Sequence, residues 1–559
     1  MKTLFAISLL AAGVPLLAQN PLFIPDTLSG PSYSLTMHMD SVQFLPGNIT
    51  HTYAFNNFSY LGPTLILNKG DNVSITVNNQ IDDTTTVHWH GLHIAAINDG
   101  GPHTPILMNS SWNPQFTVMD NAATYWYHPH TDMKTAAQAI KGAAGMIIVR
   151  DNVEAALTLP RTYGVDDFPI VAQCQQFDSL NQQMPRGMED STLLINGTMN
   201  PYLNVPAQVV RMRLLNASGE RVFNFGFTNN QPFYMITSDD GLLAAPFLTT
   251  RIRLAPGERA EILLDLSSMN GQSFYLMSYG SELPVGVQGG PTMPMQSGPP
   301  MDSPLNGVDY NMLQVNVGPP TANPVTTIPS TLTTLNTYSI TQANMTRTIN
   351  FTADNMMVMD GPFYFNDSTF DMMRIDYSIP LNSIEIWTLN NQTMVAHPFH
   401  LHGMPFHVLD RDGSAPGTEE SGWKDVVLVK PMETVRFITK FTDFPDTTIP
   451  YMYHCHILMH EDDGMMGQYV ITPNAVGVNE PAVAAAVPLY PNPASGEVVL
   501  SLEAGSTVSV YNAMGQLVFT TVAAENTLRL DVQYWSEGMY SVSVTQKDKS
   551  GSARFVVQH

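Results

Sequence analysis

"KGDNVSITVNNQ", residues 69–80, opens on turn-forming residues, alternates Val73, Ile75 and Val77 with polar neighbours, and closes on asparagine. Alternation at period two marks a strand with one buried face, because successive side chains leave the pleat on opposite sides. Two later stretches repeat the design: "VPAQVVRMRLLNAS" (205–218) and "PLNSIEIWTLNNQT" (380–393). Matching entry, alternation and exit, each well over a hundred residues from the next, point to three similar β-domains in tandem.

The rest of the chain fits that frame. At 559 residues it is too long for one hydrophobic core, and three or four domains are expected. Pro (41) and Gly (38) are frequent, as many short strands joined by turns require. Pro-rich and polar stretches at 150–162 and 316–330 read as linkers, and 472–496 as a longer tether before a small strand-rich unit. "GVQGGPTMPMQSGPPMDSPLNG" (286–307) reads as a flexible loop. The expected boundaries are 19–152, 153–320 and 321–474, with linker and C-terminal unit at 475–559.

A net charge of −24 excludes nucleic acid and anionic membrane as natural partners. Lys2 followed by "LFAISLLAAGVPLLA" reads as a signal peptide over 1–18, cleaved after Ala18. A membrane anchor is the alternative, but the run is short and Pro15 interrupts it; no later segment is long and apolar enough to span a bilayer. An exported chain with only Cys174 and Cys455 has no disulfide framework, so cysteine here is chemistry rather than scaffolding.

Ten of the 16 histidines sit in four clusters: "HWH" (His88, His90), "HPH" (His128, His130), "HPFHLH" (His397, His400, His402) and "YHCHILMHEDDGMM" (His454, His456, His460). Each holds a His-x-His pair, and on a strand residues two apart share a face. One pair is weak evidence; four make a metal site. Cys455, between His454 and His456, points to the opposite face, where His397, His460 and Met465 can join it. Two imidazoles, a thiolate and a weak thioether form the ligand set of a blue-copper electron-transfer centre. Zinc is the alternative, but zinc sites favour more thiolates or a carboxylate and rarely use Met. An electron can pass from Cys455 through a short piece of backbone to His454 and His456. The eight remaining imidazoles suffice for two coppers with three ligands each and one with two, a cluster able to reduce O2 to water.

The motifs "HWHGL", "WYHPH", "HPFHLHG" and "HCHILMHEDDGMM", with "DGLLAAPFLTTRIRLAPGERAEILLD" in the middle, resemble those of the multicopper oxidases: laccases, copper-efflux oxidases and bilirubin oxidases. The resemblance runs from about Tyr60 to Thr472. It implies an all-β chain of three cupredoxin-like Greek-key domains, with a trinuclear cluster between the first and third. It implies four coppers: type 1 on His397, Cys455, His460 and Met465; the type 3 pair on His90, His128, His130, His402, His454 and His456; type 2 on His88 and His400. It also places Asp99 and Glu461 where bacterial members deliver protons. Since O2 reduction consumes four protons, carboxylate relays are chemically required.

Trp89 and Trp126 read as packing walls, Cys174 as buried and inert, and His93, His103 and His407 as core or surface residues. The substrate is less legible. With 33 methionines, dense at 356–359, 371–374 and 293–301, a cuprous oxidase recruiting Cu(I) through soft thioethers is one reading; gap-filling by Met is the other. The copper-efflux oxidases carry an acidic residue and Met just before "HPFH", whereas this chain has Thr393, Met394 and Val395. Phenols or aromatic amines are therefore the expected reductants, with O2 as acceptor. A copper-sequestering or electron-carrier protein without turnover is a further alternative, needing only the type 1 ligands.

"LYPNPASGEVVLSL", "VSVYNAMGQLV" and "GMYSVSV…ARFVVQ" resemble the sorting domains read by the type IX secretion system, which implies export through the periplasm to a secreted or cell-surface location. An adhesive β-sandwich is the alternative. A monomer is the expected state.

Overall fold

The computed structural model describes residues 19–187, 189–292, 303–355, 360–473, 485–546 and 549–559. The expected signal peptide, Met356, Met357 and Met359, and residues 293–302 of the Gly/Pro/Met-rich loop lie outside these. The chain divides into two compact units, Met1–Pro473 and Asn474–His559.

The first unit holds six sheets among its described residues. They associate as three successive pairs, each around its own core. The first core includes Leu35, Ile75, Val77, Trp89 and Ile147; the second Val210, Leu214, Phe225 and Ile262; the third Phe351, Trp387, Phe399, Tyr453 and Cys455.

The three repeated stretches occupy equivalent places. Asn72–Gln80 pairs in parallel with Ser32–Val42, Val209–Asn216 with Asp167–Gln175, and Ile384–Asn391 with Met345–Ala353. Each exit asparagine is buried and staples the following loop through its side-chain amide. Asn79 donates to the carbonyls of Asp83 and Ile106, Asn216 to those of Arg221 and Leu254, and Asn391 to those of Val395, Val429 and Lys430. A side-chain amide satisfies several buried backbone acceptors at once, which an apolar residue there cannot do.

The stretch 150–162, expected to be a linker, is instead firmly packed. Asn152–Ala155 is a short helix, and its buried Glu154 bonds the buried guanidinium of Arg211 at 2.8 Å. Arg211 also meets Glu261, and Arg213 joins Glu261 to Asp167. Charges so buried persist only in such mutual pairing, because removing one partner strands the other in a low dielectric.

Leu458–Asp462 is a short helix. The Asp462 carboxylate accepts from the backbone N–H groups of Thr135 and Ala136, at 2.9 and 3.0 Å, at the start of helix Thr135–Ala139. The cap ties the third sheet pair to the first beside the histidine motifs.

The second unit folds separately into a five-stranded and a three-stranded sheet around Val498, Leu500, Val508, Val542 and Phe555. Among the described residues no helix is long and apolar enough to cross a membrane.

Candidate metal centre

Strand ends carry the histidines to one place. His88–His90 runs antiparallel to Ala123–His128, with His88 opposite His128. His397–Leu401 runs antiparallel to the end of Asp446–Cys455, with His400 opposite His454. In the last three His-x-His pairs regular pairing stops at or between the two residues. All eight imidazoles are buried.

Their nitrogens converge in three sets. His402 Nε2 lies 3.2 Å from the Nε2 atoms of both His130 and His454. His90 Nδ1 lies 3.2 Å from His456 Nε2 and 3.4 Å from His128 Nε2. His88 and His400 turn their Nε2 atoms inward with no hydrogen-bond partner. Three ring nitrogens meeting at one point cannot all pair with one another, and a buried orphan nitrogen is costly. Burial, reinforced by the neighbouring rings, pushes His90, His128, His130, His400, His402 and His456 well below the usual histidine range. They are held neutral, the form that offers a lone pair to a metal.

Six of the eight outward nitrogens face three acidic residues, each touching two rings; His128 Nδ1 instead meets the Pro129 carbonyl at 2.8 Å, and His456 Nδ1 has no hydrogen-bond partner. Asp99 takes His402 Nδ1 on Oδ2 at 2.8 Å and His88 Nδ1 on its backbone carbonyl at 2.9 Å. Glu461 places one oxygen 3.1 Å from His130 Nδ1 and the other 3.1 Å from His454 Nδ1, as contacts rather than aligned hydrogen bonds. Asp425 accepts from His400 Nδ1 on its carbonyl at 2.9 Å and faces His90 Nε2 with Oδ1 at 3.3 Å. Gly100 (φ 83°) lets the chain turn after Asp99, where a Cβ would strike the carbonyl of Val87. Asp99 and Glu461 were read from the sequence. Asp425 was not, although a lone acid opening the wholly buried strand run "DVVLV" was a signal available in it.

On the far face of the last strand, Cys455 Sγ lies 3.5 Å from His397 Nδ1 and 3.6 Å from His460 Nδ1. The cysteine is free and buried. Burial pushes His397 well below the usual range and His460 down to about 3. Met465 is buried in the same core; its N–H donates to the His460 carbonyl at 2.8 Å, and its carbonyl accepts from Cys455 N–H at 3.0 Å. Phe363 packs against both imidazoles. Thr393 Oγ1 meets the outer nitrogen of His397 at 2.9 Å.

The remaining candidates fall outside these sets. His93 bonds the Gly403 carbonyl and Asp443, His103 bonds Gln468, and His407 packs on Trp423. Cys174 is free and buried. Trp126 stacks on His128 with ring centres 4.1 Å apart, and Trp89 packs against Trp112. The donor set suits copper: neutral imidazoles with one thiolate-forming cysteine, orphaned nitrogens aimed inward, and carboxylates on the outer nitrogens only.

Multicopper oxidase family models match residues 36–154, 168–293 and 331–475. "Multicopper oxidase mco" of Staphylococcus haemolyticus is 33% identical over 450 residues, 79% of this chain and 88% of that protein. The chain belongs to the multicopper oxidase family. Other relatives span different roles. Cell division protein FtsP of Escherichia coli is 30% identical over 480 residues, covering 84% of this chain and 97% of its own. Among solved structures, a laccase-like multicopper oxidase, CueO, from the lignin-degrading bacterium Ochrobactrum sp. shares 30% identity. It superposes with a TM-score of 0.71 over 81% of this chain and all of its own. McoA of Aquifex aeolicus shares 29% identity, with a TM-score of 0.71 over 82% of this chain and all of its own. A secretion system C-terminal sorting domain model matches residues 488–558, so this multicopper oxidase carries a type IX sorting domain.

Proposed function

We propose that this multicopper oxidase takes single electrons from a phenol or aromatic amine and delivers four of them, with four protons, to O2, yielding two molecules of water. The observation that carries the proposal is the complete set of eight buried histidines behind the Cys455 site. The intact histidine set also weighs against a copper store or electron carrier, which would need only His397, Cys455, His460 and Met465.

In this reading those four residues hold a type 1 copper. His90, His128 and His456 hold one member of the type 3 pair and His130, His402 and His454 the other; His88 and His400 hold type 2. Bound there, copper supplies the one-electron redox changes and O2 reduction that no side chain can perform. The protein supplies the path and the protons. Cys455 shares its backbone with His454 and His456, so a few covalent bonds link the electron entry face to the cluster. Asp99 and Glu461 sit against the outer nitrogens of four cluster rings, where they can hold protons for the departing water and keep each ring in its tautomer.

A second reading has its own observation. Phe370 N–H bonds the carbonyl of Gly464, next to Met465, and the turn that follows exposes Met373 at 90%. A soft thioether in solvent near the type 1 residues suits Cu(I) as substrate. Oxygen uptake by the copper-loaded protein with a dimethoxyphenol and with Cu(I) separates the two. Uptake with neither substrate would overturn both. We also infer that the sorting domain sends the enzyme through the type IX machinery to the cell surface or medium.

A further inference from the structure

His90 differs from the other seven cluster histidines in its orientation. They turn Nε2 toward the cluster; His90 turns Nδ1 inward and leaves Nε2 facing Asp425 Oδ1 at 3.3 Å. Asp425 is itself buried and held by Arg259, whose Nη1 donates to the same Oδ1. Arg259 is fully buried and fixed by the carbonyls of Thr124, Gly257 and Asp239. Burial alone would weaken its charge, but Asp425 and Asp239 raise its pKa overall. Gly91 (φ 90°), directly after His90, leaves room for this contact, since a Cβ there would collide with Asp425, Arg259 and Tyr125.

Resting on the four-copper reading above, we infer that Asp425, braced by Arg259, is a positioning residue that makes His90 an Nδ1 ligand of its type 3 copper. A carboxylate on Nε2 can only accept, so the proton must stay on Nε2 and the lone pair on Nδ1. The group His90, His400 and Asp425 could be taken for another metal site. Two contacts argue against that: Arg259 already holds Oδ1, and His400 Nδ1 is taken by the Asp425 backbone carbonyl. The same residue reaches the type 2 position through its carbonyl on His400 Nδ1, so one acid orients ligands of two coppers.

The test uses the full-length, copper-loaded protein and Asp425→Asn, which keeps the size. His90 and Arg259 share Oδ1, so an amide oxygen there keeps both contacts but without the charge that strengthens them. An NH2 there imposes the wrong tautomer and opposes the Arg259 donor. Either way the hold on His90 weakens, and copper binding at the cluster should weaken about 10–100-fold. The blue absorbance of Cys455 should stay as wild type, and an electron-spin signal should appear from the unpaired type 3 partner. Arg259→Lys, which loosens Asp425 without touching a histidine, should give a smaller change of the same kind, and it decides the matter if Asp425→Asn does not fold. Asp240→Asn, beside Arg259 but not at His90, should bind copper as wild type does. Wild-type copper affinity with a silent type 3 pair in Asp425→Asn, or in Arg259→Lys alone where the first does not fold, would overturn the inference. A wild-type protein that never binds four coppers would instead sink the four-copper reading itself.

Discussion

Thr393 Oγ1 lies 2.9 Å from Nε2 of His397, and the hydroxyl is in turn bonded to the side chain of Asn391. The position that departs from the copper-efflux pattern therefore holds the orienting partner of an expected type 1 ligand. Replacing Thr393 by Val keeps the shape and removes the hydroxyl, leaving the buried His397 Nε2 without its partner, at about 1–3 kcal/mol. Thr393→Val should weaken copper retention at the blue site and shift its absorbance, while the cluster coppers stay. Titration against a copper chelator, followed at the blue band, measures this.

Cys455→Ser should remove the blue band and turnover together, yet leave the eight cluster histidines binding. Metal analysis should fall from four coppers per chain to three. A loss of all four would mean that the two sites are not separable.

Glu461→Gln keeps the size of a side chain that touches His130 and His454 but removes its capacity to carry a proton. Turnover should fall about 100-fold or more, in the range expected for losing a positioned proton carrier. Bleaching of the blue band by substrate without O2 should keep its wild-type rate, because electron entry does not use Glu461. Slowing of both would make the residue structural.

The buried ion pair of Glu420 with Arg411 gives an acid limit to stability. Burial alone would raise the Glu420 pKa, but Arg411 outweighs it and holds it at about 2, against 4.5 for the free group. A carboxylate with a depressed folded pKa stabilises the protein above its unfolded value, and the contribution is lost as pH falls from about 4.5 to about 2. It amounts to about 3 kcal/mol. Glu420→Gln should be less stable than wild type at pH 6, with the difference shrinking across that window in denaturant titrations.

Asn216→Ala should cost about 2–4 kcal/mol, because it strands the buried carbonyls of Arg221 and Leu254. Chemical denaturation of the apo-protein reads it. A cost near zero would mean that the exit asparagines are incidental.

How much of this was visible in the sequence follows from the range of each signal. Alternation in "KGDNVSITVNNQ" and the His-x-His pairs are local patterns, and both survived into strands and converging rings. Asp425 acts on His90 from 335 positions away, and a pairing at that range leaves no spacing to read. Thr393 looked like the absence of an acid because its hydroxyl acts only once His397 is folded beside it. The helix Leu458–Asp462 is too short to show a helical period, and its fixed point, the Asp462 cap on Thr135 and Ala136, is again a distant contact. Glu154, in a polar stretch that read as a linker, is buried because Arg211, 57 positions on, pairs with it.

The most direct test of the four-copper oxidase is the electron balance of its turnover. Oxygen consumption by the copper-loaded protein is recorded against the amount of dimethoxyphenol or Cu(I) oxidised, and catalase is then added. The account predicts four electrons removed for each O2 consumed and no oxygen returned by catalase. Two electrons per O2, with half the oxygen recovered from peroxide, would contradict it.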